Sequence, residues 1–150
     1  ELEKADVEPA GEQCLEIALA AGESEHTSMG IAPFIQSRAI AFMQPDVARS
    51  GGITETRKMI ALARAFHVAY CPHIGFSGAV CAAASLHLAA SASNFDSYEC
   101  MIFGNPLRDD LTRKPIASRK SLVDGALTLP DGPGLGVDVD EAALERFRAR

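Results

Sequence analysis

The sequence predicts an α/β fold built around a parallel sheet, and two patterns along the chain support this prediction. Short apolar runs, bounded by glycine, proline or charged residues, alternate with longer segments whose apolar residues recur at helical spacing. Continuous apolar runs are typical of strands buried on both faces, and helices between such strands are typical of parallel sheets. The alternation covers residues 15–99 and stops near Cys100.

Four apolar runs are predicted to form the strands of this sheet, at residues 15–21, 40–44, 68–71 and 95–99. The three segments between them are predicted helices, at residues 28–37, 53–67 and 79–93. Short apolar runs bounded by turn-forming residues are typical of strands, and longer periodic segments are typical of helices. Pro33 lies inside the first of these helices and weakens the prediction of its first turns.

The segment after Cys100 has a different character from the preceding chain. Residues 105–120 are polar and are predicted to be loop-like. The glycine- and proline-rich turn at residues 131–134 is flanked by the apolar stretches 126–130 and 136–139, and this pattern predicts a hairpin. Residues 141–148 are predicted to form a short amphipathic helix.

Composition excludes several classes of function. The net charge of −6 argues against nucleic acid as a partner, because phosphate binding needs clustered lysine and arginine. No apolar run reaches the roughly 18 residues of a membrane span, and residues 1–4 lack the basic-then-apolar shape of a secretory signal. The four cysteines show no C-x-x-C spacing, so we expect reduced thiols and a cytoplasmic location.

Ionisable residues end the four predicted strands, and they are Glu23, Asp46, His73 and Glu99. By itself, such a residue is more often a helix cap or a solvated loop residue than part of a site. Parallel strands all point the same way, however, so the carboxyl ends of the strands meet at one edge of the sheet, where α/β barrels build their active sites. The four residues together therefore predict a common site.

The chemistry that requires this set of residues is proton abstraction next to a carboxylate. The resulting enolate-like intermediate needs strong electrostatic stabilisation, which a divalent cation supplies. Carboxylates provide the hard oxygen ligands that Mg²⁺ prefers. Histidine suits the role of base because its ordinary pKa lies near neutral, and a neighbouring aspartate can hold the imidazole in one tautomer.

Each strand end carries a short motif, namely Gly22-Glu23, Gln44-Pro45-Asp46 with the following residues 47–55, Pro72-His73 and Glu99. Together they resemble the C-terminal domain of the mandelate racemase and muconate lactonizing enzyme group of the enolase superfamily. Among that group the resemblance is to acid-sugar dehydratases such as galactonate dehydratase. The tail at residues 127–137 is similar to the family's C-terminal segment.

The resemblance implies an incomplete (β/α)8 barrel of the TIM type. Residues 1–104 would form a partial barrel whose strands resemble the fifth to the eighth, with part of the fourth, and residues 105–150 would form a tail that packs on a capping domain. Four or five strands cannot close an eight-stranded barrel. The chain is therefore interpreted as an incomplete version of a longer enzyme.

The resemblance also implies roles for the residues at the strand ends. Asp46 and His73 would form a dyad in which His73 is the general acid and base, and Glu99 would hydrogen-bond the substrate carboxylate or help to protonate the intermediate. Glu23 would be a ligand of Mg²⁺. The implied substrate is a sugar acid, the implied reaction is its dehydration, and the full-length relatives are expected to form homo-oligomers.

Two further residues are weaker candidates. Glu8-Pro9 resembles the motif that carries another metal ligand in the family, but only six residues separate Glu8 from the predicted strand at residue 15. A parallel crossover needs about a dozen residues, so the position of Glu8 is in conflict with that role. His26 follows Glu23 by three residues and is predicted to contact a substrate hydroxyl.

Four alternative interpretations remain open or can be weighed. A racemase or epimerase of the same superfamily needs a second base on a strand that this sequence does not contain, and a non-catalytic fragment or pseudoenzyme would need none of these roles. Gly75-Phe76-Ser77-Gly78 could be the nucleophile elbow of a serine hydrolase, but the only downstream histidine, His87, lies within the next predicted helix. Zinc at Cys71 and His73 lacks a second pair of ligands.

Overall fold

The parallel sheet is present in the computed structural model, which describes residues 17–148. Three strands, β1 (Ala20–Ala21), β2 (Phe42–Met43) and β3 (Ala69–Tyr70), pair in parallel in the order β1-β2-β3. A fourth segment joins beyond β3 through an isolated parallel bridge between Tyr70 and Phe95. The predicted α/β fold with a parallel sheet is confirmed.

Three helices connect these strands, as parallel pairing requires. They are α1 (Thr27–Gln36), α2 (Gly52–Ala65) and α3 (Ala79–Ser91). The helix α1 continues through Pro33. The hydrogen-bonded strands are shorter than the predicted apolar runs, and the predicted strand at residues 95–99 is reduced to the single bridge at Phe95, whose far side has no strand partner within residues 17–148.

The core lies between the sheet and the helices α1 and α2. Its fully buried members come from every layer, so they hold the sheet and helices together; they are Ile31, Ile35, Met43, Met59, Ala63 and Tyr70. A second cluster is formed where α3 presents small residues, Ala82 and Ala83, to Ile116 and Ala117 of the C-terminal segment. Small side chains allow this close approach, which anchors the segment on the sheet-containing part.

The C-terminal segment differs from its prediction. Its hairpin is formed by β4 (Leu122–Val123) and β5 (Ala126–Leu127), so the predicted hairpin around residues 131–134 is wrong. Asp124 and Gly125 have φ values of +48° and +76°, and two left-handed central residues match the twist of a two-residue hairpin. A turn does form slightly later, at residues 133–136, where the amide of Gly136 donates to the carbonyl of Pro133, but Val139 beyond it bridges to Thr112 instead of to residues 126–130.

The segment contains two short α-helices and one turn of 3₁₀-helix at Arg119–Ser121. The polar stretch predicted to be loop-like contains α4 (Pro106–Asp109). Its N-cap is Asn105, whose side chain accepts a hydrogen bond from the Leu107 amide. The predicted terminal helix is present as α5 (Glu141–Arg146). Asp140 caps α5 by accepting hydrogen bonds from the first-turn amides. None of the helices within residues 17–148 is long and apolar enough to cross a membrane.

A polar contact fixes the start of α1 against the start of α2. Glu55 accepts hydrogen bonds from the backbone amide of Ser28 at 2.8 Å, the hydroxyl of Ser28 at 2.7 Å and the ammonium of Lys58 at 2.8 Å. These bonds, that of Lys58 first, lower the pKa of Glu55 from 4.5 to about 2. The loop between β1 and α1, which carries Glu23, is therefore held at its far end.

Replacing Glu55 with Ala should destabilise the chain in a manner that depends on pH. Because the pKa of Glu55 is lower in the folded chain than its usual 4.5, its stabilising contribution is complete above that value and is lost as the pH falls through about 2. Urea unfolding of both proteins at several pH values should show the difference narrowing toward about pH 2. The control is Glu145→Ala on α5, which removes an exposed ion pair with Arg148 and should not reproduce this dependence on pH. A difference that does not change with pH contradicts this prediction.

Candidate active site

His73 lies between two carboxylates at the carboxyl edge of the sheet. Its Nδ1 atom is 3.2 Å from Oδ2 of Asp46, and its Nε2 atom is 3.0 Å from Oε2 of Glu23. The side chain of Asp46 is 6% exposed and that of Glu23 is 59% exposed. The three groups therefore form a line from the interior to the solvent, and Nε2 is the ring nitrogen on the open side.

Local backbone features after each strand place these side chains. Gly22 has a φ of +128°, and a Cβ atom there would lie 3.1 Å from the side chain of Ile31 and 3.3 Å from the Gln44 amide. Only glycine allows the chain to turn so close to β2 and present Glu23. One strand further along, the amide of His73 donates to the carbonyl of Pro45 at 3.2 Å, which keeps His73 level with Asp46.

Asp46 is surrounded by hydrogen-bond donors. The amide of Ala48 donates to Oδ1 at 2.8 Å and the hydroxyl of Ser77 donates to Oδ2 at 3.4 Å. The thiol of Cys81 lies 3.9 Å from Oδ1, and burial, followed by a smaller effect of the Asp46 charge, raises the pKa of that thiol. A carboxylate that is ionised only accepts hydrogen bonds, so the contact with Asp46 favours the tautomer of His73 that carries its proton on Nδ1.

Glu99 is held by the backbone immediately after His73. Its Oε2 atom accepts hydrogen bonds from the amides of Ile74 at 2.5 Å and Gly75 at 3.1 Å. A Cβ atom on Gly75, whose φ is +45°, would lie 2.6 Å from Cε1 of His73. Glycine is therefore required for this loop to pass the imidazole ring while it donates to Glu99.

The four predicted residues border one open cleft of about 580 Å³. The other residues that line it are Arg49, Gly75, Phe76, Ser77 and Met101. The side chains at the four strand ends thus share one cavity, although their catalytic roles stay predictions. Ser77 was considered in the sequence only as a nucleophile, and nothing in the sequence pattern indicated that Arg49 or Cys81 belongs to this region.

The remaining predicted residues lie away from this cleft or outside the described chain. His26 is exposed and donates from Nδ1 to the carbonyl of Arg49 at 2.7 Å, but it does not line the cleft. Its role in substrate binding stays a prediction. Glu8 lies outside residues 17–148. His87, which the hydrolase interpretation would need, contacts the carbonyl of Leu135 at 3.1 Å, while the hydroxyl of Ser77 donates to Asp46.

The fit of a metal ion can be judged from the donor atoms in the cleft. No group of three or more histidine, cysteine, aspartate or glutamate side chains within residues 17–148 is arranged to hold one. Asp46 and Glu99 are tied to backbone amides, whereas Glu23 is open to solvent and its only polar side-chain partner among residues 17–148 is His73. The described residues thus offer one well-exposed carboxylate to a hard cation, which is the lower end of the one or two carboxylates by which proteins usually bind Mg²⁺. For zinc, Cys71 instead contacts the Ser97 hydroxyl at 3.4 Å.

Comparison with known protein families shows which family this chain matches. The family described as "Enolase C-terminal domain-like" matches residues 4–143. The chain belongs to the enolase superfamily. The superfamily characteristically uses Mg²⁺, and the chain is an α/β domain that corresponds to the C-terminal part of the superfamily's TIM-type barrel.

Two relatives of this chain have names that describe enzymes acting on a sugar acid or on a sugar-acid lactone. The chain is 32% identical over 144 residues to D-galactarolactone cycloisomerase from Agrobacterium fabrum, covering 88% of this chain and 36% of the relative. It is 33% identical over 149 residues to D-galactonate dehydratase from Xanthomonas axonopodis, covering 96% of this chain and 38% of the relative. The chain therefore spans little more than a third of the length of these relatives.

Solved structures show the same relationship. The mandelate racemase/muconate lactonizing enzyme from Sulfitobacter is 38% identical with a TM-score of 0.76, over 85% of this chain and 31% of that one. The 3,6-anhydro-D-galactonate cycloisomerase from Zobellia galactanivorans is 32% identical with a TM-score of 0.79, over 90% and 37%. The relatives of this chain thus include proteins named as dehydratases and as cycloisomerases.

Proposed function

We propose that this chain supplies the acid and base groups for a magnesium-assisted dehydration of a sugar acid. In this reaction the proton on the carbon next to the carboxylate is removed, the hydroxyl on the following carbon leaves as water, and the resulting enol becomes a 2-keto-3-deoxy acid. The observation that carries the proposal is His73, held by Asp46 on one side and open to the cleft on the other. Relatives named galactonate and arabinonate dehydratase support it.

His73 is the base in this proposal. Asp46 holds the proton of Nδ1, which leaves the lone pair of neutral imidazole on Nε2, the atom that faces the cleft. In the structure Nε2 lies 3.0 Å from Oε2 of Glu23, so that carboxylate occupies the place from which a substrate would approach this nitrogen. His73 therefore has to part from Glu23 before Nε2 can accept the proton of a substrate.

Glu99 is the second acid group of the cleft. Its position is fixed through Oε2 by the amides of Ile74 and Gly75, close to the ring of His73. We propose that it hydrogen-bonds the substrate carboxylate or helps to protonate the intermediate. Either Glu99 or the protonated His73 can deliver the proton that the departing hydroxyl needs.

Glu23 is the residue of the described chain that is best placed to bind Mg²⁺. Bound there, the ion would supply stabilisation of the negative charge that develops on the substrate carboxylate. The further ligands would come from outside residues 17–148, and Glu8 is one candidate. The proposal therefore includes that the 150-residue chain is catalytically incomplete; robust turnover of sugar acids by the chain alone would contradict this part.

Replacing Glu23 with Gln should weaken Mg²⁺ binding. An outer-shell substitution typically costs about 10–100-fold in metal affinity, and loss of a ligand should cost at least as much. Calorimetric titration of the chain with Mg²⁺ should give weak but measurable binding that Glu23→Gln abolishes. Glu145→Gln on α5, far from the cleft in sequence, is the control and should bind normally. Absence of any binding by the unsubstituted chain would favour the non-catalytic alternative.

A chimera tests the complete reaction. Residues 4–143 of this chain would replace the matching C-terminal part of the Xanthomonas axonopodis dehydratase, and the product would be assayed as a 2-keto-3-deoxy acid with Mg²⁺ and a panel of sugar acids. Formation of that product supports the proposal. A folded chimera that binds Mg²⁺ and leaves every sugar acid unchanged would contradict the proposed function.

The same assay separates the other activities of the superfamily. Relatives named cycloisomerases make proton transfer without loss of water a second candidate. In D₂O, a racemase or epimerase would exchange the α-proton and form no keto acid, whereas a dehydratase would form keto acid. The substrate is proposed to be a small carboxylate, and a homo-oligomer in the cytoplasm is the proposed state of the complete enzyme. The free thiols of Cys71, Cys81 and Cys100 fit that compartment.

A further inference from the structure

Arg108 is a buried charge that the proposed mechanism does not use. It lies on α4 in the C-terminal segment, is 1% exposed, and is the largest fully buried side chain among residues 17–148. No carboxylate within the described part of the chain forms an ion pair with it. A buried guanidinium needs compensation from other groups, so its partners indicate its role.

All of its partners are backbone carbonyls of the loop that follows His73. Nε donates to the carbonyl of Ser77 at 2.9 Å, and Nη2 donates to the same carbonyl at 2.7 Å, to that of Gly75 at 2.7 Å and to that of Ile74 at 3.4 Å. Asn105, the cap of α4, donates to the remaining carbonyl, that of Phe76, at 2.9 Å. The start of α4 therefore holds every carbonyl of residues 74–77.

The opposite side of the same loop serves the active site. The amides of Ile74 and Gly75 donate to Glu99, and the hydroxyl of Ser77 donates to Asp46. In a planar trans peptide the C=O and N–H groups point in opposite directions. The contact of the Ile74 carbonyl with Arg108 therefore favours the orientation in which the Gly75 amide points at Glu99.

We propose that Arg108 is a positioning residue that orients the loop of residues 74–77 and, through it, Glu99. The rigid fork of guanidinium nitrogens can bond several carbonyls at once, whereas a lysine ammonium presents a single nitrogen. The Nη1 atom of Arg108 is buried and has no hydrogen-bond partner among residues 17–148. Within this part of the chain, the guanidinium is therefore held by the carbonyls of this loop alone. The catalytic consequence rests on the proposed function, but the orientation of the loop does not.

Amide hydrogen exchange of the full 150-residue chain tests this proposal. In Arg108→Met the amides of Ile74 and Gly75 should exchange faster by about tenfold or more, a change that corresponds to about 1.4 kcal/mol. The amide of Cys71, which donates to Met43 within the sheet, should keep its rate. The control is Arg113→Met, an exposed arginine of the same segment that is paired with Asp138.

Arg108→Lys keeps the charge and is the second variant if Arg108→Met does not fold. It should accelerate exchange at Ile74 and Gly75 by a smaller factor, about threefold, and leave Cys71 unchanged. Unchanged exchange at Ile74 and Gly75 overturns the proposal. Equal acceleration of all three amides overturns it as well, because that is the result expected if Arg108 only contributed to the overall stability of the fold. The exchange measurement does not depend on catalytic activity. If the chimera were inactive but the Arg108 variants accelerated exchange only at Ile74 and Gly75, the proposed function would be rejected and the role of Arg108 would stand.

Discussion

Replacing His73 with Asn should lower the rate of α-proton removal by the chimera by about 10²–10⁴-fold, the range over which a positioned acid or base contributes. His73 is the only imidazole that lines the described cleft, and its Nε2 atom is on the open side. Asparagine retains polarity but cannot take up the proton. The loss should be measured as the rate at which the chimera forms the 2-keto-3-deoxy acid, the product from which the α-proton has been lost.

His67 provides the matched control for this substitution. It is exposed at the end of α2, and its φ of +60° is a conformation that asparagine tolerates well. His67→Asn should leave both the rate of keto acid formation and the stability close to those of the parent. If His73→Asn and His67→Asn had equal activity, another group would have to be the base.

Replacing Asp46 with Asn should also reduce the activity of the chimera by about 10²–10⁴-fold, because the ring of His73 would lose its fixed tautomer. Asp46 is 4% exposed and accepts hydrogen bonds from Ala48 and Ser77 as well as from His73. An asparagine side chain can present its NH₂ group to Nδ1, which would move the ring proton to Nε2, the nitrogen that has to act as the base.

The ring ¹⁵N resonances of His73 report the tautomer directly and can be measured in the 150-residue chain itself. The parent should show a protonated Nδ1, and Asp46→Asn should show a larger share of the other tautomer. Asp138→Asn, an exposed aspartate of the C-terminal segment, is the control and should change neither the spectrum nor the activity. An unaltered His73 spectrum in Asp46→Asn would remove the dyad from the mechanism.

Most of the sheet-containing part could be predicted from the sequence because its signals are local. Apolar runs and helical periodicity indicated the order of strands and helices, and α1, α2 and α3 begin and end near the predicted residues. The residues at the ends of the runs were found by the same pattern, because a parallel sheet brings successive carboxyl ends to one edge. Glu23, Asp46, His73 and Glu99 accordingly line one cleft.

The C-terminal segment was harder to predict because competing turn signals lie close together. Residues 131–134 carry more glycine and proline than Asp124-Gly125, yet the latter pair forms the hairpin. The apolar residues of this segment pack on α3, with Ile116 and Ala117 in the second core cluster. Packing against a helix distant in sequence therefore decided the position of the hairpin, and the local glycine and proline pattern at residues 131–134 did not.

The sequence by itself determined the α/β class, the family resemblance and the four ionisable residues at the strand ends, because each depends on patterns within a few neighbouring residues. Only the tertiary structure decided that Glu23 contacts Nε2 of His73 and that Arg108 holds the carbonyls of the loop after it. These contacts join residues more than 30 positions apart. They arise because buried charges and backbone carbonyls must find partners in the folded chain, and no local pattern specifies which partner that is.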